Sequence, residues 1–334
     1  MNLILNSETD RAAAEESSLE LLPEALGCDS RNNLDAVLAA LASDLPPRAA
    51  ASPGRPHPSR SAIRSLLLWS YCYASGPLRR WYRRRAAAAG RMPIAIVMYH
   101  RIADDRANAW TTSTAIFQRQ ITWLQRHVEI VSLEEAQRRL RNGVNYHPCA
   151  CITFDDGYAE NCRMALPLLL RRGIPCTYFV TLHHLLSGEP FLHDRQRGNR
   201  FAPNSLAQLR TLAAAGVEIG SHCYHHANLA EVHDAEKMHR EVVTAGQELA
   251  RLVGHPVRYL AFPFGRHENL SPAAIRLAYE AGCQGVCSAF GGYNLPGDDW
   301  FHLQRINGDD EMSRFCNWLT IDPRKLHQPR FAWQ

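Results

Sequence analysis

From Pro93 onward the chain alternates short apolar or β-branched runs with longer segments of helical spacing, and few folds tolerate so regular a rhythm. Residues 94–99, 149–154, 176–181, 217–221, 259–262 and 285–288 read as strands, and 113–127, 159–171, 205–215, 234–252 and 271–281 as the helices between them. Gly173, Gly216, Gly254 and Gly282 end helical segments, supplying the left-handed residue that stops a helix. The alternation predicts an α/β fold on a parallel sheet, either closed as a barrel or open and doubly wound. Both arrangements gather chemistry at the C-terminal ends of strands.

The polar residues fall at those ends. Asp155 and Asp156 follow Cys-Ile-Thr-Phe, His222 follows Val-Glu-Ile-Gly-Ser, Pro263-Phe264-Gly265 follows Tyr-Leu-Ala-Phe, and Tyr99-His100 follows Ile-Ala-Ile-Val-Met. Singly, each has an ordinary explanation: Asp-Asp-Gly is often a turn that caps the next helix, and a lone histidine is more often structural than ligating. Jointly they suggest a metal site. The spacing of His222 and His226 can put both imidazoles on one side of a helical turn, and a carboxylate completes a three-ligand site with open positions. His225 has the wrong spacing to share the face of His222, and His183 and His184 read as structural.

Thr153-Phe154-Asp155-Asp156-Gly157, Ser221-His222-Cys223-Tyr224-His225-His226 and Phe262-Pro263-Phe264-Gly265 resemble, in order and spacing, the three motifs of the polysaccharide deacetylase superfamily, the NodB homology domain of carbohydrate esterase family 4. The resemblance covers roughly residues 93 to 310. It implies a distorted (β/α) barrel of the NodB type, preceded by an irregular or helical N-terminal extension. It further implies that Asp156, His222 and His226 hold a divalent metal, zinc in most members, with Asp155 as general base and the Phe264 N–H as oxyanion donor. The implied reaction is hydrolysis of N-acetyl groups from hexosamine residues of a polysaccharide, oligosaccharide or lipid-linked saccharide, releasing acetate. The alternatives are a metal-dependent hydrolase of another non-peptide amide and a catalytically weakened carbohydrate-binding protein.

The departures from the family matter as much. Where many members carry an arginine that orients the base, this chain has Ala261, leaving Arg305 or Arg258 as the replacement. His302 does not stand at the spacing of the family's C-terminal acid histidine. Met98-Tyr99-His100 instead resembles the early Tyr-His of the poly-N-acetylglucosamine deacetylase branch, which makes His100 the expected general acid. Phe191 and Asp194 are read either as lining a sugar groove or as an ordinary packed loop.

By this reading residues 1–90 form an N-terminal extension, partly disordered and carrying a basic amphipathic segment, 91–320 the deacetylase domain and 321–334 a C-terminal tail. Within the extension, residues 46–60 are rich in Pro, Ser, Ala and Arg and read as a linker. Arg79, Arg80, Arg83, Arg84 and Arg85 cluster beside Trp81 and Tyr82. Residues 62–85 therefore read either as a solvated helix packed on the domain or as a peripheral contact with an anionic membrane surface. A net charge of +4 is too small to imply nucleic acid. The ten cysteines lack the paired spacing of a structural zinc site and read as free thiols. The N-terminus shows no basic segment followed by an apolar core and a cleavage site, so the expected location is cytoplasmic, peripheral to the inner face of the membrane if residues 62–85 touch it. Oligomeric state has no signature in the sequence.

Overall fold

The computed structural model describes residues 30–46, 62–326 and 330–334; most of the linker reading and the first part of the extension lie outside them. Eight parallel strands build the body: β1 (Ile94–Tyr99), β2 (Cys149–Phe154), β3 (Thr177–Val180), β4 (Glu218–Ser221), β5 (Tyr259–Ala261), β6 (Gly285–Cys287), β7 (His302–Leu303) and β8 (Ile306–Asn307). Their spatial order is β7-β6-β5-β4-β3-β2-β1-β8, with Glu129–Ile130 pairing beside the start of β2. Leu303 and Ile306 end up at opposite edges of this order. Three residues of chain span at most ~11 Å, so the sheet must curl until its two edges nearly meet. The result is a parallel sheet curled into the NodB-type barrel, incompletely closed between β7 and β8. Asn294 ties that seam: its backbone bonds Ile94, and its side chain bonds the backbone of Gln304.

Both faces of the sheet are buried, which is why the strands read as unbroken apolar runs. Ala95, Val97, Ile152, Phe154, Tyr178 and Ile219 pack outward under the helices. Ile94, Ile96, Cys149, Cys151, Phe179, Tyr259 and Leu303 fill the inside. The helix Leu133–Arg141, which sequence patterning does not single out, joins that inner cluster through Leu133, Ala136 and Leu140. Gln137 fixes it there by donating to the carbonyls of Gln284 and Trp300. The segment 159–171 splits into a 3-10 turn, Ala159–Cys162, and a helix, Ala165–Arg171. The segment 234–252 contains a π turn at Arg240–Thr244. Gly173, Gly216, Gly254 and Gly282 all have positive φ, as their helix-stopping role requires. All nine described cysteines are unpaired.

The described parts of both terminal regions pack on the barrel. Helix α1 (Ser30–Ser43) buries Leu41 completely, and Asp44 accepts from the Ser205 hydroxyl. Helices α2 (Ala62–Ala74) and α3 (Gly76–Ala88) dock on the helix Met312–Leu319 and the turn after it. There Tyr71 donates to Asp322 at 2.8 Å, while Arg79 reaches the Asn317 carbonyl at 2.9 Å and its side-chain oxygen at 2.5 Å. Near the C-terminus, Trp333 is buried and its carbonyl accepts from Arg276.

Burial would raise the Asp322 carboxyl, but hydrogen bonds from Arg324, Tyr71 and Asn317 outweigh it and hold the pKa at about 2. A depressed carboxylate contributes stability above its ordinary value and loses it as pH falls through the folded value. Asp322→Asn should therefore lower stability at neutral pH by on the order of 2 kcal/mol, with the gap in melting temperature closing as the pH approaches about 2. A gap unchanged in acid would show that this anchor does not depend on the charge.

Candidate metal and catalytic site

The motifs meet at the C-terminal ends of β1, β2, β4 and β5. After β2 the backbone turns left-handed at Asp156 and Gly157, with φ of 72° and 79°. Asp155 and Asp156 are thereby turned to different partners. Asp155 pairs with Arg305, whose Nη1 and Nη2 donate to the two carboxylate oxygens at 2.6 and 2.7 Å. The Arg305 Nε donates to the Ser288 carbonyl at 3.0 Å, and the whole side chain is buried. Burial would raise the Asp155 carboxyl, but Arg305, helped by His222, holds it below the usual carboxylate range. Of the two arginines offered by the sequence as the replacement for the family's base-orienting one, Arg258 is excluded, because it pairs with Glu218 and Glu134 instead.

Asp156 faces the histidines. The Nε2 atoms of His222 and His226 each stand 3.4 Å from its Oδ1, and the three ligand atoms lie within 4.8 Å of one another. That Oδ1 is buried yet has no hydrogen-bond partner. Such an orphan costs free energy unless something occupies the space between it and the imidazoles. The His222 Nδ1 lies 2.8 Å from the Ala261 carbonyl, so as a donor there it leaves Nε2 bare for a cation. Two imidazole nitrogens and one carboxylate oxygen, converging from one side, fit a divalent first-row metal with open positions.

The expected helical turn does not carry the histidine pair. Residues 222–228 form a loop in which Cys223 and His226 have φ of 64° and 61°, and this left-handed backbone, rather than helical spacing, swings His226 beside His222. Glu241, in the π turn, secures the loop: it is fully buried and accepts from the Tyr224 and His225 N–H groups at 3.0 and 2.9 Å. The His225 Nδ1 also lies 2.7 Å from it, so His225 is engaged by Glu241 rather than by Asp156. Nothing local in the sequence marks Glu241. The only hint is a carboxylate on an otherwise apolar helix face, next to two valines.

His100 stacks on Trp110 with ring centroids 5.0 Å apart, and its carbonyl accepts from Asn161. Burial lowers the pKa of the imidazole, opposed by Asp156 and then Asp155, its principal charged neighbours. His302 belongs to another neighbourhood, bonded to the Ser288 hydroxyl at 2.8 Å and packed near Phe290 and Phe331. Phe264 has φ of 61°, and its N–H has no acceptor among the described residues. The following Gly265, also left-handed, could not carry a Cβ, which would come within 2.7 Å of the Cβ of Ala289. Phe191 and Asp194 do not line a groove: both are buried, and Asp194 accepts from Tyr158 and Asn108, which is the packed-loop alternative. His184 is structural as expected, its Nδ1 against the Glu189 carbonyl.

Residues 143–285 match the family model described as polysaccharide deacetylase. The chain is 24% identical over 190 residues to YxkH of Bacillus subtilis (strain 168), a match covering 56% of this chain and 62% of that protein's length. Among solved structures it is similar to the Streptococcus pyogenes deacetylase PplD in complex with acetate, at a TM-score of 0.59 and 19% identity, over 69% of this chain and 99% of that one. It is also similar to IcaB from Ammonifex degensii, at 0.57 and 21%, over 69% and 98% of the two chains. At these identities the structures establish the shared fold.

If the trio holds a metal, Asp156→Ala, His222→Ala and His226→Ala should each weaken zinc binding, measured by titration calorimetry, by on the order of 100-fold or more, whereas His225→Ala should bind zinc within a few-fold of the parent. Equal loss at His225 would mean that a different histidine ligates. Arg305→Leu leaves Asp155 as an unpaired buried charge and should cost ~3–5 kcal/mol in stability. Arg258→Leu breaks only partly exposed pairs and should cost ~0–1 kcal/mol. A chemical denaturation comparison that ranks the two the other way refutes the assignment of Arg305.

Proposed function

We propose that this chain, whose residues 143–285 belong to the polysaccharide deacetylase family, hydrolyses N-acetyl groups from hexosamine residues of a saccharide in a metal-dependent reaction that releases acetate. The observation that carries the reading is the unequal treatment of two adjacent buried carboxylates. Asp156 offers an unsatisfied oxygen to two histidines, while Asp155 is held apart by Arg305.

A divalent cation held by Asp156, His222 and His226 would polarise the acetamide carbonyl and acidify water. Asp155, kept ionised and oriented by the two Arg305 contacts, is suited to take the proton of the attacking water. The free N–H of Phe264 can donate to the oxygen that gains charge as water adds to the carbonyl carbon. When the carbon–nitrogen bond breaks, the leaving amine needs a proton, and His100 is an imidazole outside the proposed ligand trio whose charged neighbours include both aspartates. One feature supports a saccharide substrate: the partly exposed aromatic rings of Phe264, against His226, and Trp110, against His100, flank the site and offer faces on which a sugar ring can stack.

Asp155→Asn keeps shape but cannot accept the proton, so zinc should remain bound while turnover falls by roughly two to four orders of magnitude. His100→Ala should behave likewise, and His302→Ala should change turnover little. The assay is acetate release from chitin, poly-N-acetylglucosamine and peptidoglycan fragments, with metal content measured on each variant. Undiminished release after verified metal removal sinks metal dependence, and loss at His302 with retention at His100 reassigns the acid. Acetate release from no N-acetylated saccharide, with saccharide binding retained, selects the binding-protein reading.

A further inference from the structure

The α2–α3 hairpin uses only one of its sides to hold the barrel. Tyr71, Cys72 and Arg79 face the helix Met312–Leu319 and the turn after it, and Ala86 is buried further along the same side of α3. The opposite sides carry large apolar residues in water: Trp69 is 63% exposed, Tyr73 89%, Leu78 55% and Trp81 54%. Trp69 and Tyr73 are one turn apart on α2, and Leu78, Trp81 and Arg85 follow one stripe of α3. Along this stretch of chain the charge has a single sign. No acidic residue occurs between Asp44 and Asp104, and Arg80, Arg84 and Arg85 are exposed, Arg85 lying over the Trp81 ring at 5.1 Å.

We propose that this face is a docking surface for an anionic lipid bilayer, with the Trp, Tyr and Leu side chains entering the headgroup boundary and the arginines pairing with lipid phosphates. Amphipathic aromatic rings and snorkelling arginines are the side chains that favour this boundary. Each helix is 13 residues long, about 20 Å at the helical rise, and no described helix is long and apolar enough to cross a membrane, so the hairpin lies in the plane of the surface. A second copy of this chain fits the face poorly, because a two-fold interface would set arginines against arginines. Nucleic acid would use the arginines but leave four large apolar side chains in water. The proposal does not depend on the catalytic reading.

The test is co-sedimentation of the full chain with vesicles of phosphatidylcholine alone or mixed with phosphatidylglycerol. Binding is expected only to the mixed vesicles at low salt, with release as salt screens the arginines. Each of Arg80→Gln, Arg84→Gln and Arg85→Gln should weaken it about fivefold. The Trp69→Ser, Trp81→Ser pair should weaken it about tenfold or more, with melting temperature and acetate release from a soluble substrate unchanged. Absence of binding to mixed vesicles at low salt overturns the proposal, as does parental binding by the tryptophan pair. So does a dimer, seen by light scattering, that those tryptophan changes dissolve. Binding to a DNA duplex that equals vesicle binding and ignores the tryptophan changes would reduce the face to a merely basic one and would also overturn it.

Discussion

The buried pair of Arg305 and Asp155 sets the terms for the rest of the site. Two charges removed from water are tolerable only if each is fully met by hydrogen bonds, and here the guanidinium fork meets both carboxylate oxygens while its Nε meets a carbonyl. The pair also fixes long-range geometry. Asp155 follows a central strand and Arg305 lies in the two-residue link between the two edge strands, so they can touch only if the sheet is curled nearly shut. Barrel closure and the orientation of the proposed base are thus a single requirement.

The second requirement is strain in the backbone. Of the five described non-glycine residues with positive φ, four lie in the three motifs: Asp156, Cys223, His226 and Phe264. Each such residue costs on the order of 1 kcal/mol or more and persists because its surroundings dictate it. Glu241 does this for the histidine loop by holding two consecutive N–H groups. Gly265 does it for the third motif by allowing backbone contact with Ala289. The triangle of Asp156, His222 and His226 is therefore assembled by loops forced into tight turns over a rigid rim, not by one helix face.

What could be read in the sequence follows from this division. The main strands were legible because burial on both faces makes them continuous apolar runs, and the motif residues were legible because they directly follow those runs. The helix Leu133–Arg141 was not, since five of its nine residues are charged and only one side turns inward. Strands β7 and β8 are too short to show a period. The choice between Arg305 and Arg258 could not be made from spacing, because a contact across 150 positions is a property of closure rather than of local pattern. The same holds for Glu241, which declares itself only when the π turn and the histidine loop are seen together. The extension lies outside the β-α rhythm, and which of its residues touch the barrel, such as Leu41, Tyr71 and Arg79, leaves no local signature.

The position of Arg305 has a consequence for the timing of synthesis. Asp156, His222 and His226 are all present once the chain has been made as far as residue 226, and Phe264 follows soon after. The arginine that orients Asp155 leaves the ribosome later than all of them. Until the last two strands are made, Asp155 therefore lacks its guanidinium partner and the barrel lacks its seam. A chain cut short before residue 305 would keep the Asp156, His222 and His226 side chains but leave Asp155 an unmatched charge, so the fate of one carboxylate is tied to synthesis of residues 302–307.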